Sequence, residues 1–145
     1  MNTSHGKYLG VDYGDVRTGI AQCDASGLIA TGICTLKEGG MKNTAIRVAK
    51  EAEQRSCKKI IVGLPKNMDG SEGFRAETVR AFVKILEELT DIPVVLYDER
   101  MTTMAAYRIF DESGAHGKRR RDNIDTLSAE IILQNYIDAE KNAKV

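Results

Sequence analysis

The sequence predicts an α/β domain: a mixed five-stranded sheet, three antiparallel strands extended by parallel ones, flanked by helices. Three observations predict it. The first third of the chain holds short apolar runs separated by turn residues. The apolar period then lengthens to the helical one over residues 42–56. From there strand-like and helix-like segments alternate to the end. The 145 residues suit one core, no repeat or linker divides them, and 1–145 reads as a single domain.

In order, Tyr8-Leu9-Gly10-Val11-Asp12 is a short apolar strand, and Tyr13-Gly14-Asp15 is turn chemistry. Val16 to Gln22 is a second strand; Asp24-Ala25-Ser26-Gly27 turns the chain into a third, Leu28 to Leu36. Three strands joined by tight turns form an antiparallel meander. Ala45, Val48, Ala49 and Ala52 mark a helix over 42–56. Lys58 to Leu64 is a buried strand, apolar on both faces at Ile60-Ile61-Val62. The loop Pro65 to Gly73 leads to a helix with Val79, Phe82, Val83, Leu86 and Leu89 on one face. Pro93 to Tyr97 is the fifth strand, ending in Asp98-Glu99-Arg100, and a helix follows from about Thr102 to Asp111. Ser113 to Asn123, glycine-rich and basic, is expected to be a mobile loop. The last helix runs from Ile124 to about Glu140.

Composition narrows the function. With 42% hydrophobic and 29% charged residues the chain is an ordinary globular domain. No apolar run approaches the roughly 20 residues that span a bilayer, and the N-terminus lacks an export signal's apolar core. Cys23, Cys34 and Cys57 are odd in number and widely spaced, which fits a reduced, cytoplasmic setting. They form no CxxC pair and only His5 and His116 could join them, so zinc is not expected. A net charge of zero argues on its face against nucleic-acid binding. Yet Arg100, Arg108, Lys118, Arg119, Arg120 and Arg121 face only Asp111 and Glu112 between 100 and 121, so a local positive field survives the neutrality.

Three carboxylate positions carry the chemistry. Alternation puts Tyr8, Gly10 and Asp12 on one face of the first strand, with Asp12 at its end and open space at Gly10 and Gly14. A hairpin-turn aspartate would be the plain explanation for any single case. Asp98 and Glu99 end another strand, and adjacent residues point to opposite faces, so only one of them looks at Asp12. Asp125 is expected in the first turn of the last helix, where an acid also suits the helix dipole. Ser128, Ala129, Ile132 and Tyr136 share its face, however, and that face is the packed one. Hard carboxylate oxygens gathered at the ends of elements are what magnesium requires. Two such ions activate water on one side of a phosphorus and stabilise the leaving oxygen on the other.

At these residues the chain resembles the YqgF/RuvX family of the ribonuclease H-like superfamily. The matching segments are Gly10-Val11-Asp12-Tyr13-Gly14 with Arg17-Thr18-Gly19-Ile20-Ala21, and Val62-Gly63-Leu64-Pro65-Lys66-Asn67-Met68-Asp69-Gly70-Ser71. Asp98-Glu99-Arg100-Met101-Thr102-Thr103 and Ile124-Asp125 with Ile131-Ile132-Leu133 complete the set, which spans 8 to 138. The resemblance implies a ribonuclease H-like nuclease whose acidic triad, Asp12, Glu99 and Asp125, binds magnesium, with manganese as the alternative. It decides the strand end for Glu99 over Asp98. It implies maturation of the 5′ end of pre-16S ribosomal RNA first, and Holliday-junction resolution on branched DNA as the alternative.

Arg17 is a candidate to hold the scissile phosphate, equally explicable as an exposed hairpin arginine. Lys66 and Asn67 lie in a long loop before a helix, a setting that favours an anion. Arg100 and the run Lys118-Arg119-Arg120-Arg121 are candidates to grip a nucleic-acid backbone, although such runs are usually solvated. Thr102 reads as a helix N-cap. The expected partner is structured RNA or a ribosomal precursor, alternatively branched DNA, with no membrane and with the protein a monomer or homodimer. Two rivals remain. The Asp12 hairpin also resembles the phosphate loop of actin-like ATPases and sugar kinases, but those need two such domains. An inert nucleic-acid-binding module would keep the fold without the chemistry.

Overall fold

The computed structural model describes residues 6–98 and 117–143, and for 117–125 and 143 the backbone course alone. Strands β1 (Tyr8–Asp12), β2 (Thr18–Cys23) and β3 (Ala30–Leu36) form the meander. Helix α1 (Met41–Gln54), strand β4 (Lys59–Leu64), helix α2 (Phe74–Leu89) and strand β5 (Val94–Asp98) follow. Helix α3 (Gly117–Ala143) closes the chain. The expected helix from Thr102 to Asp111 lies outside the described residues.

The strand order is β3-β2-β1-β4-β5. β1 pairs antiparallel with β2 and parallel with β4, β2 antiparallel with β3, and β4 parallel with β5. This is the mixed sheet that the sequence predicts, in ribonuclease H-like order. β1 is central because its two neighbours come from the two halves of the chain.

The pleat sorts the core into two layers. Leu9 and Val11 of β1 and Ile60 and Val62 of β4 pack with Ala45, Val48, Val79, Phe82 and Leu86 of α1 and α2. Tyr8 of β1 and Ile61 of β4 face the other way, onto Ala129, Ile132, Leu133 and Ile137 of α3. Each fully buried Leu, Ile or Phe stabilises the fold by about 1.5–3 kcal/mol over its exposed state.

One expectation is corrected. The segment 117–123, expected as a loop, is helical, and α3 begins at Gly117. Lys and Arg are good helix formers, and no proline interrupts 117–143, so the basic run extends the helix. Asp125 accordingly lies not in the first turn but about two turns into α3. The dipole explanation for an acid there therefore falls away.

Candidate active site at the carboxyl edge of the sheet

β1, β4 and β5 run parallel, so their carboxyl ends meet at one edge of the sheet. Open α/β sheets bind ligands at that edge. Asp12 ends β1 there, half-buried and paired in register with Gly19. It continues the Tyr8–Gly10 face, which is the α3 face.

α3 runs antiparallel to β1 across that face. Tyr8 Oη donates to Glu140 Oε1 at 2.8 Å, near the helix's far end. One pleat on, Gly10 is so close to the helix that an added Cβ would sit 2.8 Å from Leu133 Cβ and 2.9 Å from the Ala129 carbonyl oxygen. The contact thus moves toward the helix N-terminus as β1 moves toward Asp12. Asp125 occupies the position one turn before Ala129, in that direction. Two β3 amides anchor the helix sideways: Gly32 N–H donates to Glu130 Oε1 and Ala30 N–H to Gln134 Oε1, each at 2.9 Å.

Of the paired acids at the fifth strand's end, Asp98 is described. Val94 and Leu96 pack on the α1/α2 layer, Val95 and Tyr97 on the α3 layer. Asp98 shares the parity of Val94 and Leu96, so it belongs to the face opposite Asp12. Glu99 and Arg100 lie outside the described residues, as do the side chains of Asp125, Lys118, Arg119, Arg120 and Arg121.

Arg17 stands at the same edge, half-buried, just before β2. Its turn is closed at the Thr18 hydroxyl, which accepts from the Gly14 N–H and donates to the Gly14 carbonyl, each at 3.4 Å. Gly14 is required there because a Cβ would strike the Arg17 carbonyl. The loop with Lys66 and Asn67 is folded on itself. Asn67 N–H donates to the Ser71 carbonyl at 2.9 Å and Gly70 N–H to the Asn67 carbonyl at 2.8 Å. Asp69 Oδ1 accepts from the Ser71 N–H and hydroxyl, and the Asn67 amide donates to Ser71 Oγ. The turn needs φ +90° at Gly70, which glycine adopts freely. With those amides spent, Lys66 is the loop group with charge to offer a phosphate.

Among the described residues no group of three or more His, Cys, Asp or Glu side chains could hold a metal ion. Two of the three candidate acids fall outside that set. Burial pushes the Cys57 thiol up to about 11 and raises those of Cys23 and Cys34, so all three are held as protonated thiols. The donors left at the edge are hard oxygens, which suit magnesium or manganese. No helix of the described residues is long and apolar enough to cross a membrane.

Sequence reasoning missed a cleft on the other layer of the same edge, about 120 Å³, between Tyr13-Gly14-Asp15 and the first turn of α2. A signal was present. Phe74 lies off the apolar stripe Ala76, Val79, Phe82, Val83 and Leu86, so no core position accounts for it.

The family model described as "RuvX: Holliday junction resolvase" matches residues 6–139. A Thermoanaerobacter pseudethanolicus protein named "Putative pre-16S rRNA nuclease" is 41% identical over 137 residues, covering 94% of this chain and 99% of its own. A Caldanaerobacter subterraneus protein of the same name is 42% identical over 139 residues, covering 94% and 99%. Among solved structures, Thermus thermophilus RuvC bound to a Holliday junction aligns over 95% of this chain and 97% of its own, with TM-score 0.60 and 14% identity. The fowlpox virus Holliday junction resolvase aligns over 92% and 99%, with TM-score 0.52 and 16% identity. Those two establish the ribonuclease H-like fold, and the family model together with the two bacterial relatives establishes more: the chain belongs to the RuvX family.

Proposed function

We propose that this protein is a metal-dependent nuclease that hydrolyses phosphodiester bonds in structured RNA, with the 5′ region of pre-16S ribosomal RNA as its substrate. One observation carries the reading. Asp12 ends the central strand at the carboxyl edge of the sheet, on the face along which α3 leads back to Asp125. Asp98 has the opposite parity and lies away from that face. The names of the bacterial relatives, aligned nearly end to end, supply the substrate.

Asp12, Glu99 and Asp125 would together hold magnesium or manganese. When bound, such an ion activates water and neutralises charge building on phosphate oxygens. The chain's own groups do the positioning. Arg17 and Lys66, at the same edge, offer cations to the backbone flanking the scissile bond. Arg100 and the basic start of α3 supply sequence-independent attraction. The protein acts in the cytoplasm, where ribosomal precursors are processed, as a monomer or homodimer. Branched DNA is the second reading, favoured by the description of the matching family.

The test offers purified protein with magnesium an extended pre-16S leader RNA and a four-way DNA junction in parallel. Cleavage of the RNA leader is expected. Cleavage of the junction alone would transfer the activity to DNA, and cleavage of neither would remove it.

A further inference from the structure

The cleft beside the turn that follows Asp12 has a composition the hydrolytic site does not explain. Tyr13, Gly14 and Asp15 form one wall, and Phe74, Arg75 and Thr78 the other. Tyr13 is buried and stacks on Phe82, ring centroids 4.3 Å apart and planes 20° off parallel, which anchors that wall to the core. Phe74 is the reverse: its residue is 77% exposed, the most exposed large apolar residue described. Val16 at 74% and Met68 at 66% lie in the two loops of the same edge. Leaving these groups in water forgoes the favourable burial of their apolar surface. These three are the most exposed large apolar residues described, and all lie at this edge.

The chemistry selects the occupant. A cavity of about 150 Å³ accepts a benzene ring, so an open cleft of about 120 Å³ takes roughly one planar ring. Asp15 puts a carboxylate on the wall, which repels a phosphate but not the neutral face of a base. Arg75 supplies a guanidinium for the backbone beside that base. Consecutive Cα atoms lie about 3.8 Å apart, so this wall begins one residue from Asp12.

We infer that Phe74 and the Tyr13–Asp15 turn form a stacking platform for one unpaired base next to the scissile phosphate, with Arg75 on the adjoining backbone. This deepens the nuclease reading and rests on it. The preferred substrate is a strand with splayed bases at a single-stranded extension, not a continuous duplex, in which stacked bases cannot enter the cleft.

The test uses full-length protein carrying Asp12→Asn, so that the RNA stays intact. Two probes are compared: an RNA hairpin with a 5′ single-stranded extension containing 2-aminopurine, and the same hairpin blunt-ended. Binding should quench the 2-aminopurine through stacking. Phe74→Ala should abolish the quenching and weaken binding of the extended hairpin by roughly 5–150-fold, the loss of one base–aromatic stack. The blunt hairpin should be unaffected, Phe74→Trp should restore both readouts, and Leu89→Ala, at the far end of α2, should change neither. Unchanged binding in Phe74→Ala, or equal loss on both hairpins, overturns the platform. So does a change in oligomeric state with RNA affinity intact, which would make the ring a contact between copies. Hydrolysis by protein with Asp12 intact is scored separately. Discrimination without cleavage leaves the platform and removes the nuclease reading; cleavage without a Phe74 effect does the opposite.

Discussion

Lys59 Nζ donates to Glu140 Oε2 and to Tyr136 Oη, each at 2.8 Å, and lies 5.2 and 5.3 Å from the ring centroids of Tyr8 and Tyr136. These residues fasten α3 to β1 and β4 at the end of the helix away from Asp12. Burial alone would raise the Glu140 carboxyl, but hydrogen bonds from Lys59 and Tyr8 outweigh it and hold the group below its ordinary range. Burial and the bond to Glu140 push the Tyr8 hydroxyl up to about 12. Burial works against the Lys59 ammonium, yet its bonds to Glu140 and Tyr136 raise it. The stability from Glu140 is complete above its unfolded value of about 4.3 and is lost as pH falls through the lower folded one. That from Lys59 is complete below about 10.4 and is lost as pH rises through its higher folded value. Glu140→Gln should therefore cost about 1–2 kcal/mol at pH 7, allowing for partial exposure. Urea midpoints should show that cost shrinking below about pH 4; a cost independent of pH would mean packing alone. This cluster was illegible in the sequence because its members are up to 132 residues apart, and no local period encodes such a pairing. Asp12 was legible because a polar residue closing an apolar strand is a local signal.

At the scale of elements, α3 gives both the closest approach and the largest correction. Gly10 admits the helix backbone, and a methyl there would meet atoms at 2.8 and 2.9 Å that cannot swing aside. Gly10→Ala should cost about 1–3 kcal/mol by overpacking. It should also reduce cleavage more than RNA binding, because it shifts the helix carrying Asp125 against the strand carrying Asp12. Denaturation and single-turnover rates on one preparation separate the two; a folded variant with normal cleavage would detach helix seating from chemistry. The reading of 117–123 as a loop gave weight to Gly117 and to charge, and too little to the helix preference of Lys and Arg. The correction alters what the basic run can do. Four consecutive helical positions encircle the axis, so one strand meets about two of them at once. Replacing Lys118, Arg119, Arg120 and Arg121 with glutamine should lower the salt slope of RNA binding by about 1–2, one or two contacts at roughly 0.7–0.9 each. A salt series in the Asp12→Asn background reads this directly. An unchanged slope would place the phosphate grip at Arg17 and Lys66.

Across the whole molecule, the sheet was legible because each parallel strand follows a helix and each antiparallel one a tight turn. Its order is therefore nearly forced by connection length and handedness. The edge that gathers the carboxyl ends of β1, β4 and β5 follows from that order. That Asp98 falls on the face opposite Asp12 did not follow from sequence alone, because the pleat's phase depends on which layer buries Val94 and Leu96. The Phe74 cleft was hidden for a related reason: it joins a turn to a helix start about 60 residues away, a proximity that topology creates. Asp12, Glu99 and Asp125 are proposed to act as one site at this edge. The most direct test of that proposal is single-turnover cleavage of the pre-16S leader with magnesium by Asp12→Asn, Glu99→Gln, Asp125→Asn and Asp98→Asn. Residues behind metal ligands already cost 10–100-fold when removed, so each of the first three should lose more than about a hundredfold while remaining folded. Asp98→Asn, on the face opposite Asp12, should cleave within a few-fold of wild type, whereas Glu99→Gln retaining activity while Asp98→Asn loses it would exclude Glu99 from the site and put Asp98 in it.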